Sequence, residues 1–207
     1  MMARVLRHTL LAAGITLLAS ACVPSSSIKP VNSLAELADG DVLIVGRVEL
    51  DPPLAKDEQD LGDSYEEYRN AVMLITDDKL RDASELAYGD LSSRIDAPFG
   101  ETFFVSHAAE PFYILKGWVV MRAKVEVIGP GESYTSGNAP LSGIFRVDVR
   151  PDDKAVYIGT IRYHRDDFFG TEKVVIRDDF NAAHAEFRHR FGNEISLRKA
   201  LVRPLTN

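Results

Sequence analysis

The chain has one cysteine in 207 residues, Cys22. No intramolecular disulfide can form, and no cysteine-based zinc site can be built. There is one tryptophan, Trp118. Beyond the first 22 residues, no apolar run approaches the roughly 20 residues that a membrane-spanning helix requires. Basic residues are in the minority, 24 Lys and Arg against 31 Asp and Glu, which gives a formal net charge of −7. That balance argues against nucleic acid and against electrostatic adhesion to anionic lipid. Internal repeats are absent, and strands do not alternate with helices as they do in a parallel α/β sheet.

What the chain does have begins at its start. Arg4 and Arg7 precede a short apolar run over residues 9–18, followed by Ala19, Ser20, Ala21 and then Cys22. A basic start, a short apolar middle and small residues before a cut describe a secretory signal. Ala19 and Ala21 satisfy the small-x-small rule, so cleavage is predicted between Ala21 and Cys22.

These residues resemble the lipobox of bacterial lipoproteins. That family usually places Leu three residues before the cysteine; here Ala19 holds that place and Leu18 lies one further back. The resemblance implies that Cys22 becomes the mature N-terminus, carries a diacylglycerol thioether and an N-acyl chain, and anchors the protein to a bilayer. Each buried methylene contributes about 0.8 kcal/mol; one chain holds reversibly, two or three hold tightly. In proteobacterial members an Asp after the cysteine retains the protein in the inner membrane, so Val23 implies the outer membrane. The alternative is a soluble secreted protein whose Cys22 is accidental. Against it, a free thiol is a liability in an oxidising compartment.

Removing residues 1–21 takes away two arginines and leaves 186 residues with a formal charge of −9. That length suits one hydrophobic core. Residues 22–38, with Ser and Pro, read as a lipid-anchored linker, and 39–207 as a single β-rich domain. Strands are predicted at 42–50, 71–76, 101–105, 144–149, 155–163 and, last, 173–176. Residues 112–127 form the strongest β region, with Gly117 as a candidate bulge or turn. Residues 79–95 fit either a short helix or a loop, with Ile95 starting an extended piece, and 129–143 are rich in turn formers. One helix is clear: Asp178 or Asp179 caps it, Phe180, Ala183, Phe187 and Phe191 share one face, and Gly192 stops it. Ile195, Leu197, Ala200 and Leu201 are expected to pack back on the core. The fold class is therefore mainly β, an antiparallel sandwich or barrel-like domain with one C-terminal α-helix. The stretch from Val156-Tyr157-Ile158-Gly159-Thr160-Ile161 to this helix resembles C-terminal segments of poorly characterised bacterial lipoproteins. It covers about a quarter of the chain and carries no catalytic motif.

No motif for chemistry survives close reading. His184 and His189 are five residues apart, which at about 100° per residue points their rings about 140° apart. A zinc protease helix needs His-Glu-x-x-His on one face. His184-x-Glu186 lacks the Pro-Cys-x-x-Cys partner of zinc deaminases. The pairs at Asp77, Asp152, Asp166 and Asp178 sit where turns and caps are expected, without a calcium loop. Ser106-His107 lies in no nucleophile elbow. Gly129-Pro130-Gly131 lacks the third glycine of a phosphate loop. The acidic stretch over 57–67 reads as a solvated loop or as bait for a basic partner. No catalytic residue, metal or cofactor is assigned.

The leading expectation is a non-enzymatic outer-membrane lipoprotein, held by acylated Cys22, with an interaction or assembly role toward an envelope protein. A second is a module binding a glycan or small apolar ligand through Trp118, Phe168 or Phe169, the last two an aromatic pair in a predicted turn. A third is an envelope enzyme using two carboxylates in a cleft.

Overall fold

A computed structural model describes residues 26–60, 68–78, 93–122, 124–128, 144–166 and 171–204. The signal segment, Cys22, Phe168, Phe169 and residues 79–92 and 129–143 lie outside the described residues. In chain order the strands are β1 (Ser26–Ser27), β2 (Asp41–Asp51), β3 (Ala71–Asp77), β4 (Ser93–Pro98), β5 (Thr102–Ala108) and β6 (Phe112–Met121). They continue with β7 (Lys124–Ile128), β8 (Phe145–Val147), β9 (Ala155–Arg165) and β10 (Thr171–Arg177). Helix α1 (Phe180–Phe191) follows, then β11 (Leu197–Lys199) and β12 (Arg203–Pro204). Among the described residues no helix is long and apolar enough to cross a membrane.

The strands form two sheets that face each other as a sandwich and do not close into a barrel. The first runs β1-β4-β3-β6-β8-β12, with β7 also on β6; the second runs β10-β9-β2-β5, with β11 also on β9. Most pairs are antiparallel, but β2 lies parallel to β9 in the middle of the second sheet.

Alternation explains which residues meet between the sheets. In β2, Val42, Ile44, Val48 and Leu50 point inward to join Val72, Leu74, Ile114 and Phe145 in the main core, while Leu43 and Val45 point outward. Gly46 falls in the inward phase. A Cβ there would meet Phe103 Cζ at 2.5 Å and Ile158 Cγ1 at 2.9 Å, so the ring of Phe103 uses the space that glycine leaves.

Strand β9 changes phase partway along. Val45 faces Tyr157, and two residues later Arg47 faces Thr160, so β9 carries one residue more than β2. The extra residue is accommodated at Gly159, whose φ of +106° suits glycine. Before the bulge Val156 and Ile158 point inward; after it Ile161, Tyr163 and Arg165 do. The bulge also divides the free edge of β9, with β11 on residues 155–157 and β10 on 160–165.

Helix α1 covers the outer face of the second sheet before the bulge. Ala183, Phe187 and Phe191 are buried against Leu43, Val45, Phe104 and Tyr157. Phe104 and Phe191 meet edge to face, 5.2 Å between centroids. Each fully buried ring contributes about 1.5–3 kcal/mol. The cap comes from Asp178, whose Oδ1 accepts the Phe180 N–H at 3.2 Å, while Asp179 receives Arg177 at 3.1 Å. Gly192, at φ +74°, donates its N–H to Arg188 O and ends the helix.

Four expectations are corrected. The strong β region over 112–127 is two strands, and the chain turns at Arg122, φ +49°, not at Gly117. The bulge in β6 is at Leu115: Ile75 faces Lys116, and Thr76 faces Ile114. The strand at 171–177 is not the last, because β11 and β12 follow the helix. Residues before 39, expected as linker, are part of the fold, because β1 pairs with β4 and Val31 is buried in the core beneath the helix.

Gly46→Ala is expected to lower stability by about 1–3 kcal/mol through overpacking. A lower urea midpoint at unchanged slope would show it. Adding Phe103→Leu should recover part of the loss. An unchanged midpoint in the single variant would contradict the packing described.

Candidate functional site

Beyond the helix, the outer face of the second sheet is a lattice of charges. Alternation places Arg47, Glu49 and Asp51 on it from β2, and Thr160, Arg162 and His164 from β9. Register sets Glu49 beside Arg162 and Asp51 beside His164. Arg162 Nε donates to Glu49 Oε2 at 2.7 Å, and Arg177 Nη1 reaches the same oxygen at 3.4 Å. Asp51 Oδ2 lies 3.2 Å from His164 Nδ1 and 3.8 Å from Arg162 Nη1. Arg47 donates to Thr102 at 2.9 Å and pairs with Glu186 of the helix at 2.7 Å. The Arg162 guanidinium is pushed above its ordinary range, chiefly by its hydrogen bond to Glu49.

Where this lattice meets the end of the sandwich lies a cleft of about 320 Å³. Leu50, Pro53, Leu54 and Phe99 give it apolar walls; Glu49, Asp51, Asn70 and Arg162 give it a polar rim. A shallower groove runs between β5 and the helix, lined by Thr102, Phe104, His189 and Arg190 among others. Gly100 lines both.

The cleft wall is held by a buried ion pair. Arg165 and Glu58 have side chains each 1% exposed. Arg165 Nη1 donates to Glu58 Oε2 at 3.1 Å, and Nη2 donates to Oε1, a two-pronged arrangement. Glu58 Oε2 also accepts the Ala55 N–H at 2.9 Å, and Arg165 reaches the carbonyls of Pro52 and Pro53 at 3.4 and 3.5 Å. Burial pushes the Glu58 carboxyl up, but the hydrogen bonds from Arg165 and Ala55 outweigh it, and the group sits below its ordinary range. The loop over 52–60 thus folds over the end of the sandwich and drives Leu54 into the core. Glu58 is therefore no part of a solvated loop, as its acidic neighbours suggested; a fixed guanidinium holds it inside.

The residues singled out in the sequence go to separate places. Trp118 lies on the outer face of the first sheet, half-buried against Met73, Ile75 and Val120, and lines neither cleft nor groove. The His184 ring stacks on Phe180 and Phe187 at 5.5 and 6.5 Å. His189 faces the groove. The Ser106 hydroxyl donates to Asp41, and His107 stacks on Phe112 at 4.0 Å. Among the described residues no three His, Cys, Asp or Glu side chains are placed to hold a metal ion. Sequence reading missed Glu49, Arg162 and the Glu58–Arg165 pair. Glu49 and Arg162 alternate with Leu50 and Ile161, which signals two strands sharing a polar face; Glu58 has no such signal.

No protein-family model, curated protein or solved structure matches this chain.

Either Glu58→Gln or Arg165→Met alone should destabilise the protein by about 3–5 kcal/mol, because each leaves a buried group uncompensated. The double variant should recover much of that loss in chemical denaturation. Acid supplies a second check. A carboxyl lowered on folding adds stability that is fully present above its unfolded value, near 4.3, and is lost as pH falls through the lower folded value. The double variant should therefore lose stability less steeply than the parent in that range. Equal slopes would assign the acid sensitivity to other carboxylates.

Proposed function

We propose that the protein is an outer-membrane lipoprotein, anchored through acylated Cys22, and that its β-sandwich serves as a non-enzymatic docking domain in an envelope assembly. The observation that carries this reading is the order Arg4, Arg7, apolar run, Ala19-Ser20-Ala21, Cys22, only four residues before Ser26, which pairs with Ser93 in the first sheet. The cleft end is the docking surface in this reading. Its apolar walls ringed by charge have the make-up of a recognition patch, an apolar centre with a polar rim. Glu49, Asp51 and Arg162 there are engaged with one another in ion pairs, an arrangement that suits binding through complementary charge.

A second reading, a glycan or small-ligand module, has one observation in its favour. The volume of the cleft is at the lower end of the range for small-molecule sites, and Phe99 stands beside Asn70, Glu49 and Arg162. In that reading Phe99 takes the role first sought in Trp118.

Mass spectrometry of the mature N-terminus tests the anchor. The expected species begins at Cys22 with its acyl chains, and Cys22→Ser should move the protein from the membrane to the soluble fraction. An unmodified Cys22 in soluble protein would overturn the anchor. A photo-crosslinking residue in place of Asn70 tests the surface in intact envelopes. A reproducible protein adduct supports docking; a carbohydrate adduct alone would favour the second reading.

A further inference from the structure

Ser26 lies only four residues after the proposed anchor at Cys22, and the chain from Ser26 to Val31 is tied to both sheets. Ser26 pairs with Ser93, the first residue of β4. The Ile28 N–H donates to Arg94 O of the first sheet at 2.8 Å, and the Val31 N–H donates to Phe104 O of the second at 2.8 Å. Pro30 bridges Val105 in antiparallel sense. Residues 26–31 are therefore a strap laid across the edges of both sheets, with Val31 2% exposed.

The strap has a direction. Running antiparallel to β5, its early residues lie toward Ala108, which pairs with Asp41 at the start of β2. Along β4 the chain travels from Ser93 beside the strap toward Pro98, and Phe99 beyond it lines the cleft. Both edges place Ser26 at one end of the sandwich and the cleft at the other. Strand β2 spans that length; from Asp41 to Asp51 it covers roughly 33 Å at about 3.3 Å per residue.

From Cys22 to Ser26 are four peptide steps, which reach at most about 15 Å. A cleft-down posture would need Ser26 to stand about twice that far from the bilayer. We infer that the strap makes the anchor an orienting tether. The end bearing Ser26, Ser93 and Ala108 faces the bilayer, and the cleft faces away from it, toward a partner in the aqueous phase or on an opposing surface. The lipid surface that holds the protein is not the ligand of the cleft. This rests on the reading of Cys22 as acylated.

The full acylated protein in phosphatidylethanolamine–phosphatidylglycerol vesicles carrying an acceptor dye on a minority of lipids gives the test. Glu101 and Glu110 are exposed and flank β5 at opposite ends. Acylation uses the only native thiol, so a cysteine introduced as Glu101→Cys or Glu110→Cys takes a donor dye alone. Energy transfer to the lipid should be several-fold stronger from 110 than from 101. Inserting about 20 Gly and Ser residues before Ser26 should bring the two close to equal. Equal or reversed transfer in the unextended protein, with mass spectrometry showing acylated Cys22, would overturn the orientation and leave the anchor standing. A preference that survives the insertion would overturn the short tether as its cause. An unacylated Cys22 would overturn the anchor, and the orientation with it.

Discussion

One buried contact, the ion pair between Glu58 and Arg165, holds the cleft end of the molecule together. Both side chains are withdrawn from water, which by itself opposes folding. The pair persists because the guanidinium meets both carboxylate oxygens and because its Nη1 also reaches the carbonyls of Pro52 and Pro53. Its consequence is positional. The loop over 52–60 has almost no regular structure, yet it places Leu54 in the core and Pro53 in the cleft wall. The same loop reaches the first sheet, where the Arg122 N–H donates to Glu58 O at 3.0 Å and Arg69 donates to Gln59 O at 3.1 Å. Glu58 thereby joins the two sheets at one end.

Two other segments join them elsewhere. The N-terminal strap binds Arg94 of one sheet and Phe104 of the other. The C-terminal tail pairs with β9 through β11 and then with β8 through β12, while Arg198 holds Asp153 and the carbonyl of Asp148. The bulge at Gly159 makes these arrangements compatible. Without it, the alternation that puts Tyr157 beneath the helix would turn Ile161, Tyr163 and Arg165 outward. With it, one strand supports the helix by its first half and holds the buried pair by its last residue. The sandwich is thus an apolar core stitched at its margins by segments that look like connections in the sequence.

That pattern explains what the sequence disclosed. Strands β2, β3 and β9 were legible as apolar runs rich in β-branched residues, and helix α1 because its apolar side chains repeat with the period of the structure they adopt. Strand β8 was legible for the same reason: Phe145 and Val147 are buried, and Arg146 between them is exposed. The strap was read as linker because Ser, Lys and Pro carry no period, although Val31 and the backbone of Ile28 do the binding. Glu58 was read as solvated because five acidic neighbours surround it, and its partner lies 107 residues away. Arg165 gave half a signal: it continues the apolar phase of Ile161 and Tyr163, so its inward direction follows once the bulge is placed. Among the candidate contact residues, Trp118 became a packing residue of the first sheet, and the cleft was built instead from Phe99, Glu49 and Arg162, which only the parallel pairing of β2 with β9 and the return of the chain at Gly100 bring together.

Whether the buried pair locks the loop can be read directly by native-state hydrogen exchange of the unmodified protein. Ala55 and Glu58 lie outside every strand, yet their amides bond within the locked loop, and the Arg122 amide bonds to it. If Glu58 and Arg165 hold that loop as described, these three amides exchange nearly as slowly as Ile44 and Val45 in the centre of β2. Exchange at the rate of an open surface loop, with β2 still protected, would contradict it.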